Sequence, residues 1–211
     1  MCYSFESSLH NWFISLGLSL SLLVKPSLEN VWLSAYTLTF TQMQILEAII
    51  WKIIKSGGNP NDMGKYIVFA LIAQPLINSM FGFIATKNKY LLWMTIIYIL
   101  MLIIESKRLK NNTFKIFVGP TGHLVWQRYE NNEWISILGH PINKYLYLVG
   151  LTLPLCFVQT PIMKYASVIS VMTSFLYSYK NYNDEEFSSM WCYISVGFIL
   201  VANIISHLII K

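Results

Sequence analysis

Tyr90-Leu91-Leu92-Trp93-Met94-Thr95-Ile96-Ile97-Tyr98-Ile99-Leu100-Met101-Leu102-Ile103-Ile104 is the cleanest apolar run in the chain, and it decides the fold class. Lys87-Asn88-Lys89 precedes it, and Lys107, Arg108 and Lys110 stop it. An uncharged stretch bracketed by basic residues suits a helix solvated by lipid, with its ends in water. The whole chain repeats this character. Of its 211 residues 55% are hydrophobic and only 12% charged, with a mean hydropathy of +0.50; soluble domains carry roughly 25% charge. A soluble core of this size cannot bury so many apolar runs, whereas a bilayer solvates them directly.

Working outward from that run, the pattern predicts three earlier spans. The first, Leu9 to Val24, exits at Lys25-Pro26, where proline and charge both suit a helix end. The second, Val31 to Ile54, ends at Lys52, Lys55 and the breaker Gly57-Gly58-Asn59-Pro60. The third, Tyr66 to Ala85, holds Gln74-Pro75 and Asn78, so a proline kink is expected beside two amides on one face. After the fourth span, apolar and polar residues alternate from 113 to 139, with turn chemistry at Gly119-Pro120-Thr121-Gly122 and Glu130-Asn131-Asn132-Glu133. That reads as a three-strand β-meander outside the membrane. Tyr145 to Val158, broken by Pro154, and Ile162 to Tyr179 form either two short spans or one re-entrant hairpin. A last span runs from Phe187 to Ile210 after the acidic loop Asn183-Asp184-Glu185-Glu186. The predicted fold is therefore an all-α integral membrane protein of about seven transmembrane helices. It is one multi-pass domain over 1–211, with the meander inserted between the fourth and fifth helices.

Ten basic residues fall on the side of the N-terminus (Lys52, Lys55, Lys65, Lys107, Arg108, Lys110, Lys115, Arg128, Lys144, Lys180) and five on the other (Lys25, Lys87, Lys89, Lys164, Lys211). The positive-inside rule then puts the N-terminus and the meander in the cytoplasm. The N-terminus lacks a basic leader and a small-residue cleavage site, so the first segment is expected to be retained. The net charge of +5 argues for a membrane surface and not for nucleic acid. Cys2, Cys156 and Cys192 form neither a C-x-x-C pair nor a disulfide ladder.

Polar residues inside the apolar runs are the candidates for function. Thr39 to Trp51 places Gln44, Glu47 and Trp51 on one helix face, and a charge in the hydrocarbon layer costs at least about 2.5–3.5 kcal/mol unless paired, neutralised or near an interface. Sidedness brings Cys2, Glu6 and His10 at the start of the first span, and Trp191 and Cys192 in the last, to the same leaflet as Glu47. Cys2, Glu6, Gln44, Glu47, Trp51, His140, Trp191 and Cys192 define an expected cytoplasmic-facing polar pocket around Glu47. Ser4 is a plausible N-cap for the first helix, which would leave Cys2 outside it. Cys, His and carboxylate suit zinc or a soft metal, and a buried glutamate suits proton transfer, yet no ligand pair has a recognised spacing and no cofactor is indicated. The competing reading makes Glu47 and Gln44 interhelical hydrogen-bonders, the tryptophans an interfacial belt and the cysteines buried hydrophobes. Gln74 and Asn78 are candidates for a pathway between helices or for packing glue. Asn203 and His207 form a second polar pair near the end of the last span. A retinal protein is excluded because Asn181 to Ile210 contains no lysine for a Schiff base. Walker, nucleophile-elbow and H-E-x-x-H motifs are absent.

Three short motifs carry a resemblance across most of the chain: Met1-Cys2-Tyr3-Ser4-Phe5-Glu6-Ser7-Ser8, Gln44-Ile45-Leu46-Glu47-Ala48-Ile49-Ile50-Trp51 and Ser189-Met190-Trp191-Cys192. They resemble a family of small polytopic membrane proteins, without an established activity, found in bacteria, in algae and protists, and in giant DNA viruses. Its members begin Met-Cys-Phe-Ser and carry a Gln-x-Leu-Glu-Gly-x-x-Trp element. Tyr3 stands where that pattern has phenylalanine and Ala48 where it has glycine. The Ile-, Asn- and Lys-rich usage resembles a protein of an AT-rich giant virus, which implies a host or virion membrane. Three functions are expected to compete: handling of a small solute, ion or proton around Glu47; a membrane-embedded enzyme using Cys, His and Glu; and a structural membrane component. The lipid bilayer is the expected partner in each.

Overall fold

The computed structural model describes residues 4–109, 114–128, 136–137, 140–141, 144–181, 189–192 and 194–195. The chain is mostly helical: α1 (Phe5–Ser21), α2 (Leu28–Lys55), α3 (Gly64–Thr86), α4 (Lys89–Arg108), α5 (Lys144–Leu155) and α6 (Pro161–Asn181), with a further helical stretch at 189–192 and 194–195. Three stretches are long and apolar enough to cross a membrane: Phe5–Val24, Asn61–Thr86 and Lys89–Lys107. They coincide with the first, third and fourth spans read from the sequence.

The caps explain the boundaries. Ser4 and Ser27 sit in extended backbone, and their hydroxyls accept from the N–H groups of Ser7 at 3.2 Å and Asn30 at 3.1 Å. Each satisfies one orphan donor of a helix start. Ser4 thus begins α1 and leaves Cys2 before it, outside the described residues. Asn88 caps α4 in the same way, accepting from Tyr90 N–H at 2.9 Å. α3 runs through Pro75 as one helix from Gly64 to Thr86, so the expected kink does not divide it.

α2 is the central helix. Ser34, Thr37, Thr39, Thr41, Gln44 and Glu47 are all buried on it, which lowers its hydropathy. Because neighbouring helices cover those positions, lipid need not solvate them, and the helix tolerates polarity that a peripheral one would not. α1 packs along α2, where Ser34 Oγ donates to the Ser19 carbonyl at 2.8 Å. On α2's other flank lie α3 and then α4.

Contacts between turns define the two ends of the bundle. At one end Glu6 pairs with Lys55 at 3.6 Å, and Asn61 Oδ1 accepts from Ile116 N–H at 2.8 Å. At the opposite end the Glu29 carboxylate accepts from the N–H groups of Gln159 and Thr160 and, at 2.5 Å, from the Thr160 hydroxyl. Glu29 therefore clasps the α5–α6 turn and sets a carboxylate beside the positive N-terminal end of α6.

α5 and α6 are an unequal pair. α5 has 12 residues and α6 has 21, about 18 Å and about 32 Å at 1.5 Å per residue. The contacts Tyr147 with Gln74 and Asn78 with Leu151 show that α5 runs parallel to α3 and starts beside its middle.

Among the described residues, the region expected to be a three-strand meander forms two separate ladders. β1 (Phe114–Val118) pairs antiparallel with β2 (Leu124–Arg128), while β3 (Ser136–Ile137) pairs with β4 (His140–Pro141). Gly122 takes φ 84°, a left-handed conformation that glycine adopts without strain, at the turn where Gly119 N–H donates to the His123 carbonyl. β3 turns back on the segment two residues ahead of it, a shorter loop to close than a return to β2. The turn Glu130 to Glu133, the acidic loop at 183–186, and Asn203 and His207 lie outside the described residues, as does most of the last expected span.

Candidate functional site

Glu47 lies on the inward face of α2 with 0% exposure, and its Oε1 accepts a hydrogen bond from Ser189 Oγ at 2.5 Å. A buried carboxylate is held at low cost only when donors reach it, and Ser189 supplies one. Ser189 stands at the start of the 189–192 helical stretch. Cys192, one turn further and buried, lies within electrostatic reach of both Glu47 and Tyr147.

Trp191 fixes this stretch against the bundle. Its indole N–H donates to Ser174 Oγ on α6 at 3.0 Å. Its ring meets Phe175 at 5.2 Å, Tyr147 at 5.6 Å and Phe40 at 6.5 Å, each edge-to-face. Such geometry places the positive edge of one ring on the negative face of the next. Trp191 thus joins α2, α5 and α6 around the Glu47–Ser189 pair.

Two amides of α3 continue the buried polar layer away from Glu47. Gln74 accepts from the Tyr147 hydroxyl, and its amide donates to the Thr39 carbonyl at 3.5 Å. Asn78 accepts from Trp32 Nε1 and donates to the Leu151 carbonyl, both at 2.8 Å. Both amides are fully buried and bridge α2, α3 and α5. The Tyr36 hydroxyl, also buried and within electrostatic reach of Tyr147, has no hydrogen-bond partner among the described residues.

The structure brings Glu47, Trp191 and Cys192 of the expected pocket together. Gln44 is fully buried one helical turn away on α2, and Trp51 is half-buried on the same helix. Glu6 is turned elsewhere: its side chain is 58% exposed and faces Lys55, because a charged group near the helix end reaches water and a lysine sooner than it enters the core. His140 lies in β4, its side chain outside the described residues. Among the described residues no three His, Cys, Asp or Glu side chains gather in a way that could hold a metal ion. Sequence reading missed Ser189 and Tyr147 as members of the site. Ser189 stood in a quoted motif, but a serine at a span entrance looks like a cap. Tyr147 looked like one more interfacial aromatic.

Comparison with protein-family models, with curated proteins and with solved structures gives no match for this chain.

Proposed function

We propose that the chain is a multi-pass integral membrane protein in which Glu47 exchanges a proton or a small cation with the N-terminal side of the membrane. The observation that carries this reading is a fully buried carboxylate, hydrogen-bonded to Ser189, on the central helix of a bundle with membrane-length helices. An ionisable residue inside such a bundle is expensive to keep and usually serves a pathway or relay. Ser189 orients the carboxylate, and Trp191 holds Ser189's helix in place. The family resemblance and a viral or host membrane setting belong to the same proposal.

A packing role is the second reading, favoured by Gln74 and Asn78, whose amide groups are engaged in bonds between helices. Proteoliposomes loaded with a pH-sensitive dye and given a potassium diffusion potential separate the two. Proton uptake by the wild type should fall to the protein-free rate in Glu47→Gln and drop partially in Ser189→Ala. Equal uptake by Glu47→Gln and wild type would remove the transport role from that residue and leave the packing role.

A further inference from the structure

The described lysine–aromatic contacts gather at the two ends of the α3–α4 hairpin. Lys87 lies over Phe83 at 5.8 Å and Lys89 over Tyr90 at 5.6 Å, both beside the α3–α4 turn. Lys65 lies over Tyr66 at 5.2 Å at the other end of α3, and Lys115 over Phe117 at 5.1 Å on β1. Lys65 and Lys87 are separated by about 33 Å along the helix at 1.5 Å per residue, close to the roughly 30 Å of a hydrocarbon core. In each pair the ammonium itself lies over an aromatic ring, so charge and ring share one level, as side chains at a membrane interface do.

β1 is fastened at the height of the α3 N-terminus. The Phe114 ring packs where Gly64 has no Cβ, and Ile116 N–H donates to Asn61 Oδ1. Phe114 and Ile116 face inward, while Lys115 and Val118 face out, Val118 at 41% exposure. Tyr66, next to Lys65, is 50% exposed. Around this patch the exposed charges among the described residues of α3, β1 and the turn before α3 are Lys65, Lys115 and Asp62, a net positive surface with apolar side chains between the charges.

We infer that Lys65, Tyr66, Lys115 and Phe117 form one binding surface for anionic phospholipid headgroups, so that the β1–β2 hairpin lies on the bilayer and not in bulk water. The inference rests on the membrane reading above but not on transport through Glu47. Lysines near such a surface contribute about fivefold each to binding of acidic lipid, and phosphate oxygens supply the acceptors that the ammonium groups need.

Native mass spectrometry of the full chain in detergent, titrated with phosphatidylglycerol or phosphatidylcholine, tests this. Lys65→Gln/Lys115→Gln should weaken phosphatidylglycerol binding by roughly fivefold per lysine and leave phosphatidylcholine binding unchanged. Lys65→Arg/Lys115→Arg should retain wild-type binding, which separates loss of charge from loss of fold. Unchanged phosphatidylglycerol binding in the glutamine pair, or an equal loss for both lipids, would overturn the inference. Neither outcome depends on proton uptake, so failure here and failure of the Glu47 reading are distinguishable.

Discussion

Replacing Asn78 by leucine removes one amide that joins three helices. The side chain is fully buried and makes two hydrogen bonds of 2.8 Å, from Trp32 Nε1 on α2 and to the Leu151 carbonyl on α5. Interhelical bonds in membrane bundles average about 0.6 kcal/mol and reach about 1.7. The indole N–H left behind in a dry core adds a penalty of about 1–3 kcal/mol when nothing else can reach it. Leucine keeps the branched shape and heavy-atom count, so no cavity opens. The expected loss is about 1–3 kcal/mol, read from reversible unfolding in mixed micelles with increasing denaturing detergent, followed by tryptophan fluorescence and circular dichroism. Trp32→Phe supplies the decisive control, since it deletes the donor. In the double variant no N–H is stranded, so the loss should be smaller than the sum of the singles by about 0.5–1.5 kcal/mol. If Asn78→Leu unfolds with wild-type stability, or if the two singles simply add, the bridge carries no coupling and the packing argument fails.

The Trp32 indole also limits Gly82, where an added Cβ would lie 2.8 Å from Trp32 Cζ2 and 3.0 Å from Leu91 Cδ1; Gly82→Ala should cost about 1–3 kcal/mol in the same unfolding assay through overpacking. Glu29→Ala strips the α5–α6 turn of its acceptor, with an expected loss of about 1–2 kcal/mol; faster amide exchange at Gln159 and Thr160 would locate it. Glu6→Gln and Lys55→Gln should each leave the unfolding midpoint unchanged, because both side chains are mostly exposed at 3.6 Å separation and water screens such pairs.

The helical boundaries were legible because they depend on local chemistry. Tyr90 to Ile104 reads the same in sequence and in structure, and Ser4, Lys25-Pro26 and Gly57-Gly58 mark their helix ends by side-chain and backbone preferences that need no partner. The expectation that Glu47 lies at one level with Ser189–Cys192 came from assigning alternating directions to successive spans, and the structure has Ser189 donating to Glu47. Depth alone did not say which way a side chain turns. Glu6 shares that depth and yet faces Lys55, whereas Ser189, unremarkable in sequence, donates to the carboxylate. Strand pairing was the other limit: alternation identified β1 and β2, but the partner of Ser136–Ile137 depends on loop closure, and periodicity is blind to it. α2 is less apolar for the converse reason: Thr37, Thr39 and Thr41 bond to carbonyls of their own helix, Ser34 and Glu47 to other elements, and the cover over them is not visible in local sequence.

The packing of α1 has a consequence for the order in which the molecule comes apart. α1 lies chiefly against α2, through a seam that includes Ser19 and Ser34. α2, α3 and α5 are instead laced together by the Trp32–Asn78–Leu151 and Tyr147–Gln74–Thr39 bridges. Local opening follows the weakest cooperative unit. α1 is therefore held chiefly through one neighbour: its separation would break the α1–α2 seam and leave the bridges among α2, α3 and α5 whole.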